Sequence, residues 1–335
     1  MKFLVTGGAG FIGSEFVRQL SAAGLPVLVL DELTYAGHLE NLDGCISNIQ
    51  FRRCDITDEA VLHSVFDEFN VGEDTTIVNF AAESHVDRSI LSAKRFIETN
   101  VVGTTLLLEQ ATRCKVRKFI QISTDEVYGP SPHGIEFSET SSFNPTSPYA
   151  SSKAAAELIV MSYQKTYGLQ TVITRACNNF GPFQMPEKLI PRLILRGIRG
   201  MTLPIYGNGL QTREWMDVST HANAIRVIAE SDNNHDIYNL GSGFRVTNLE
   251  LAKMVENILG IKNSRIEFVT DRLAHDARYA VDSTRFNNEY GLIQNMEFLE
   301  KLQSTIEWYK SEEKNWPPLK DELFWKSEEI YEVTK

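Results

Sequence analysis

Cysteine is scarce in this chain: Cys45, Cys54, Cys114 and Cys177 are the four among 335 residues, and no two stand in a Cys-x-x-Cys spacing. Thiols scattered this way form neither a disulfide framework nor a zinc site, so no metal centre is expected and a reducing, cytoplasmic setting is. No apolar run reaches the roughly eighteen residues that a membrane span needs. Met1-Lys2-Phe3-Leu4-Val5 runs straight into glycines without a signal-type apolar stretch, so neither export nor membrane anchoring is expected. Positive charge is also short, with 33 Lys and Arg against 44 Asp and Glu and a formal net charge of −11. That balance argues against nonspecific binding of nucleic acid or anionic membranes, and it requires any anionic ligand to find a local basic pocket. Repeats, low-complexity segments and long linkers are absent as well. What remains is an ordinary globular composition, 42% hydrophobic and 23% charged. At this length it implies one large α/β domain or two closely packed lobes.

The first informative stretch is residues 2–13. A short apolar strand leads into Gly7-Gly8-Ala9-Gly10-Phe11-Ile12-Gly13, and Phe16, Val17 and Leu20 follow at helical spacing. Glycines between a strand and a helix allow a tight turn and a close backbone approach, and they deliver a pyrophosphate to the positive helix N-terminus. The second strand, Val27 to Leu30, ends at Asp31, about where a ribose-binding acid belongs. Asp31 would repel a 2′-phosphate, and Glu32-Leu33 brings no arginine to hold one, which favours NAD over NADP. A third strand ends at Asp55-Ile56. A fourth ends at Ala81-Ala82-Glu83-Ser84, whose small residues leave room for a cofactor.

A long helix is expected from about Ser92 to Cys114, then a fifth strand from Lys118 to Thr124. Strands and helices alternate throughout this half. The pattern implies a Rossmann-type, doubly wound parallel sheet with its ligand crevice at the strand C-terminal ends. At that edge stands Ser123-Thr124-Asp125-Glu126-Val127-Tyr128-Gly129, an adjacent acid pair after a buried strand. The acids are either a solvated capping turn or an acid/base pair. For both to reach one ligand, the strand must end near Thr124 and the chain must curl.

Ser147 is a plausible N-cap and Pro148 a first helical residue for a helix running to about Tyr167, stopped by Gly168. Tyr149 and Lys153 lie one turn apart on its face, where the ammonium is expected to lower the pKa of the phenol and make it a base. After a sixth strand, residues 171–175, the alternation weakens. The boundary is placed between residues 1–177, the NAD-binding domain, and 178–335, a smaller mixed α/β substrate lobe, with the chain crossing between them more than once. Lys188, Arg213, Arg272, His275 and Arg278 are the candidates for the basic pocket.

Several segments together resemble the extended short-chain dehydrogenase/reductases and, within them, the dTDP-glucose 4,6-dehydratases. They are the glycine motif, the run Asp31 to Gly37, Glu83 to Ser89, Thr124 to Gly129, Tyr149-Ala-Ser-Ser-Lys153, Pro186 to Pro191, Pro204 to Gly207 and His275 to Tyr279. The resemblance implies dehydration of a nucleotide-diphosphate hexose with NAD kept bound. Tyr149 takes the O4 proton, Lys153 tunes it, and Thr124 bonds O4. Glu126 takes the C5 proton while Asp125 protonates the departing C6 hydroxyl. The implied cofactor residues are Gly7, Gly10, Phe11, Ile12, Gly13, Asp31, Glu32, Leu33, Thr34, Asp55, Ile56, Ala81, Ala82, Ser84, Thr99, Tyr149, Lys153 and Asn179. The implied substrate residues are Ser84, Thr124, Asn178, Glu187, Lys188, Leu189, Pro204, Ile205, Tyr206, Arg213, Asn248, His275, Arg278 and Tyr279. A homodimer through the helices starting near Ser92 and Pro148 is also implied. Cys177, Phe180, Phe183-Gln184 and Ala277 depart from the usual pattern, most of them in the substrate lobe, where they bear on which nucleotide, or which hexose, is held. The alternatives are a dehydratase acting on UDP-glucose or another nucleotide hexose, a nucleotide-sugar 4-epimerase or decarboxylase, and a noncatalytic NAD-binding protein.

Overall fold

Runs of apolar and β-branched residues at the first, second, fourth, fifth and sixth strand positions are buried almost end to end, as strands covered on both faces must be. The computed structural model describes residues 1–232, 235–271, 273–291 and 297–320; Arg272 and Trp325 lie outside the described residues. The strands are β1 (Lys2–Thr6), β2 (Val27–Asp31), β3 (Gln50–Arg53), β4 (Thr75–Asn79), β5 (Lys118–Thr124), β6 (Thr171–Ala176), β7 (Asn178–Phe180), β8 (Leu203–Tyr206), β9 (Thr212–Asp217), β10 (Ile237–Leu240), β11 (Arg245–Thr247) and β12 (Ile266–Val269). The helices are α1 (Phe11–Ala22), α2 (Glu59–Glu68), α3 (Val86–Leu91), α4 (Lys94–Ile97), α5 (Thr104–Arg113), α6 (Pro148–Tyr167), α7 (Leu189–Ile198), α8 (Val218–Glu230), α9 (Asn248–Leu259), α10 (Thr284–Tyr290) and α11 (Phe298–Glu312).

Seven strands form one parallel sheet in the order β10-β6-β5-β4-β1-β2-β3. The order reverses at β1, and the crevice beside such a switch point is where doubly wound folds bind ligands. Alternate side chains of β1 feed separate cores on the two faces. Phe3 and Val5 pack with Phe16, Val17 and Ile225, while Leu4 packs with Phe66, Leu107 and Phe119. A third core, with Phe180, Leu193, Trp215, Leu251, Tyr309 and Trp316, belongs to the smaller lobe and its two short sheets, β11-β9-β7 and β12-β8. β10 brings the chain back to the large sheet after β7 to β9. No helix among the described residues is long and apolar enough to cross a membrane.

The helix expected over Ser92–Cys114 is divided. Between α4 and α5, residues Glu98–Gly103 take a π-helical turn. Asn100 supplies the reason: its Oδ1 accepts the Glu83 amide at 2.8 Å, and its Nδ2 donates to Glu83 O at 3.0 Å and Ser152 Oγ at 2.8 Å. Gly103 completes the turn where a Cβ would meet Ile56 Cδ1 at 2.6 Å. Such bulges concentrate at functional sites, and this one presents Thr99 to the crevice.

Candidate active site

Two adjoining clefts open at the C-terminal edge of the sheet. The first is lined by Gly7, Gly10, Phe11, Ile12 and Gly13 from the glycine turn, Asp31, Glu32 and Thr34 after β2, Asp55 and Ile56 after β3, Ala81, Ala82 and Ser84 after β4, and Thr99, Tyr149 and Lys153. The glycines are needed for space as well as for turning. Gly7 has φ +65, and a Cβ on it would lie 2.6 Å from the Ala81 amide nitrogen; one on Gly13 would lie 2.3 Å from Gly7 O. Asp31 caps the same turn, its Oδ2 accepting from Ala9 N at 2.9 Å and its Oδ1 from Leu33 N at 2.8 Å. Burial, its dominant influence, raises the pKa of that carboxyl, while the two amides oppose the rise. A helix N-terminus behind close-packed glycines, with an acid at the tip of β2, fits the pyrophosphate and ribose of NAD. Leu33 is a correction: it bonds Asp31 through its backbone at φ +58, and its side chain packs on the core instead of lining the cleft.

The second cleft begins where β5 ends. Thr124 is extended, with φ −142 and ψ 152, and the next residues, Asp125–Tyr128, form a 3₁₀ turn. The strand thus stops where simultaneous use of both acids requires, and Thr124 Oγ1 caps the turn by accepting Glu126 N at 3.2 Å. Asp125 is 3% exposed, and its Oδ2 meets no donor among the described residues. Burial, then the charges of Glu126 and Glu214, push its pKa well above the ordinary value, which favours the protonated form.

Ser147 caps α6 by accepting Ala150 N at 3.1 Å, with Pro148 at the first position, and this start aims Tyr149 across both clefts. The expected effect of Lys153 on that phenol is not what the structure has. Burial, followed by the charge of Glu126, pushes the Tyr149 pKa up, and Thr124 opposes the rise. Lys153 Nζ is engaged with Ile122 O at 2.6 Å. Its own pKa falls to about 8 through burial, against the attraction of Glu157.

Beyond the acids the second cleft carries Ser84, Asn178, Glu187, Lys188, Leu189, Tyr206, Arg213, Asn248, His275 and Tyr279. Arg213 stacks 4.4 Å from the Tyr279 ring centroid and is held by Thr212 O at 2.9 Å and Asp276 O at 2.8 Å. Lys188, Arg192 and His275 line the same cleft, so basic side chains gather there in an otherwise acidic protein. Four expected residues stand elsewhere. Arg278 is turned to Ser131 Oγ, Pro132 O and Ile135 O, at 2.7, 2.9 and 2.6 Å, because that loop satisfies its donors. Ile205 points into the third core, and Pro204, its neighbour on β8, is likewise outside the cleft wall. Asn179, expected at the cofactor, faces the second cleft, tied to Cys177 O and to His221 Nδ1 at 2.9 Å each.

The structure also adds Tyr35 and Met185 to the first cleft, His85, Arg192 and His221 to the second, and Gln184 to both. Arg192 had a readable signal, since it lies one helical turn after Lys188. His221 had none, because a lone histidine on a helix reads as core.

The profile of the GDP-mannose 4,6 dehydratase family matches residues 4–305. A dTDP-glucose 4,6-dehydratase of Streptomyces niveus is 43% identical over 328 residues, 96% of each chain. Among solved structures, the dTDP-glucose 4,6-dehydratase DesIV of Streptomyces venezuelae, crystallised with NAD, superposes with a TM-score of 0.90 at 43% identity, covering 96% of this chain and 100% of that one. The UDP-glucose 4-epimerase of Thermotoga maritima reaches 0.86 at 29% identity, covering 93% of this chain and 99% of that one. Epimerases therefore share the fold, but the level and extent of identity lie with the dehydratases, and the chain belongs to the dTDP-glucose 4,6-dehydratase family of extended short-chain dehydrogenase/reductases.

Proposed function

We propose that this protein removes water from dTDP-glucose to give dTDP-4-keto-6-deoxyglucose, with NAD retained in the first cleft. The observation that carries the reading is the capped turn, in which Asp125 is buried, has a raised pKa and stands beside Glu126 in a cleft that Tyr149 also lines. NAD held there supplies a hydride acceptor and donor and, while oxidised, a positive charge. Tyr149 takes the O4 proton as C4 is oxidised, and Thr124 bonds O4. The resulting ketone acidifies the C5 proton, which Glu126 removes. Asp125 gives its proton to the C6 hydroxyl, which leaves as water, and the C5–C6 double bond so formed would take back at C6 the hydride removed from C4 and at C5 the proton held by Glu126. Two carboxyls are needed because one must be ionised while the other is protonated.

On this reading residues 1–177 hold the dinucleotide and 178–335 supply most of the nucleotide-sugar wall. Lys188, Arg192, Arg213 and His275 hold the diphosphate, and Asn178 meets the sugar. Exposed Leu91 on α3, Ile97 on α4, Val102 in the π turn and Leu158 on α6 itself support a homodimer through these helices. Free thiols at all four cysteines support a reducing, cytoplasmic location.

The test is incubation with dTDP-glucose and a panel of UDP- and GDP-hexoses, following the mass change. Loss of one water from dTDP-glucose supports the reading. Carbon dioxide loss, interconversion without a 6-deoxy product, or no conversion of any sugar overturns it.

A further inference from the structure

A buried network lies behind the reacting groups. Glu157 follows Lys153 by four residues, on the same face of α6 as Tyr149 and Lys153, and is fully buried. Its Oε1 accepts Ser123 Oγ at 2.5 Å, and its Oε2 accepts Arg175 Nε and Nη2 at 2.9 and 2.6 Å. Arg175, on β6 and 2% exposed, reaches on with Nη1 to Tyr128 Oη at 2.6 Å and to Glu139 O. Its guanidinium also lies 4.8 Å from the Tyr128 ring centroid.

Ser123 is the residue before Thr124, and Tyr128 is the last residue of the turn that holds Asp125 and Glu126. One carboxylate therefore holds both ends of the acid turn, directly at Ser123 and through Arg175 at Tyr128. The same carboxylate sits one helical turn from the lysine of the hydride-transfer station. A buried ion pair is a weak stabiliser compared with apolar packing of equal volume, and what it does provide is fixed relative geometry. The arginine contributes a planar two-point fork that a lysine does not reproduce.

We propose that Glu157 and Arg175 are positioning residues that set the acid pair at its working height relative to Tyr149 and Lys153. Arg175 serves chiefly the elimination step; Glu157 serves both steps, since it also attracts the Lys153 ammonium. This assignment rests on the dehydratase reading above. It goes beyond that reading by dividing one buried pair between two half-reactions.

The experiment uses the NAD-loaded enzyme with dTDP-glucose in D₂O. Single-turnover growth of the reduced-nicotinamide absorbance reports C4 oxidation, and deuterium at C5 together with loss of water reports elimination. Arg175→Met is expected to keep the first rate within about threefold while lowering C5 exchange by about 10²-fold, the scale of a misplacement near 1 Å. Reduced nicotinamide then accumulates in the steady state. Arg175→Lys restores charge without the fork and is expected not to rescue exchange. Glu157→Gln is expected to slow both steps. The double variant Glu157→Gln/Arg175→Met leaves no unpaired buried charge, so it keeps the test available if a single variant fails to fold. It should slow both steps, elimination the more. Parallel loss of both steps in Arg175→Met and the double variant, in proportion to folded, NAD-containing protein, overturns the inference, as does full rescue by Arg175→Lys. If the wild-type protein itself does not convert dTDP-glucose, the dehydratase reading fails instead.

Discussion

Thr124 Oγ1 accepts the amide of Glu126 at 3.2 Å, and that bond turns the end of β5 into the turn that presents both acids. The same residue lowers the pKa of the Tyr149 phenol and so bears on both chemical stations. Thr124→Val keeps the shape and removes the hydroxyl. The lost cap is expected to cost about 1 kcal/mol of stability, measured by urea unfolding. C4 oxidation should slow by at least about tenfold as Tyr149 loses the group that lowers its pKa, whereas Thr124→Ser should stay near the wild-type rate. Equal rates for Thr124→Val and wild type would remove the hydroxyl from the mechanism.

Glu126→Gln separates the two half-reactions in the other direction from Tyr149→Phe. Without the carboxylate, C5 exchange should fall by about 10²–10⁴-fold, the usual contribution of a positioned base, while reduced nicotinamide still forms. Tyr149→Phe should suppress reduced nicotinamide itself. A second consequence follows from charge. Glu126 raises the pKa of both Tyr149 and Asp125, so its neutralisation should move the rising limb of C4 oxidation to lower pH. C5 exchange at the normal rate in Glu126→Gln would reassign the base.

Gly7→Ala tests the cofactor cradle apart from the chemistry. The position has φ +65, and the added Cβ would lie 2.6 Å from Ala81 N and 2.8 Å from Phe80 C, both backbone atoms that cannot swing aside. The variant is expected to purify with little bound dinucleotide and to gain little thermal stability when NAD is added. Wild-type NAD content in Gly7→Ala would show that the turn is not where the pyrophosphate rests.

The parts that were legible in sequence are those set by local chemistry. Ser147 and Pro148 mark the start of α6, Gly168 ends it with φ 70, and continuous apolar runs give the buried strands. The curl after Thr124 also followed from local reasoning, because consecutive residues of a strand face opposite ways. What was not legible depends on contacts between distant segments. The π turn at Glu98–Gly103 exists because Asn100 bonds Glu83 and Ser152, and nothing in its own neighbourhood announces that. Arg278 sits beside true cleft residues in sequence, yet the 131–135 loop captures it. The sign of the Tyr149 shift needed the distance to Glu126 and the burial of the site, whereas helical spacing alone pointed to Lys153.

His221 gives a pH test of that long-range packing. It is fully buried on α8 with Nδ1 against Asn179 Oδ1 at 2.9 Å; Asn179 Nδ2 donates to Cys177 O, so the imidazole is the donor in that bond. Burial lowers its pKa to about 4 from an ordinary 6.5. Between those values the unfolded chain binds a proton that the folded chain refuses, so stability is lost as pH falls from 6.5 towards 4 and is fully present above 6.5. The whole effect is on the order of 3 kcal/mol at most. His221→Gln removes the titration while keeping a hydrogen-bonding side chain. The variant is expected to be less stable than wild type at pH 7, and that gap should shrink by about 1–3 kcal/mol in urea unfolding at pH 4.5. A gap that stays constant between the two pH values would mean that His221 titrates in the fold as it does in the unfolded chain, and its place in the cleft wall would then carry positive charge below its ordinary pKa of 6.5.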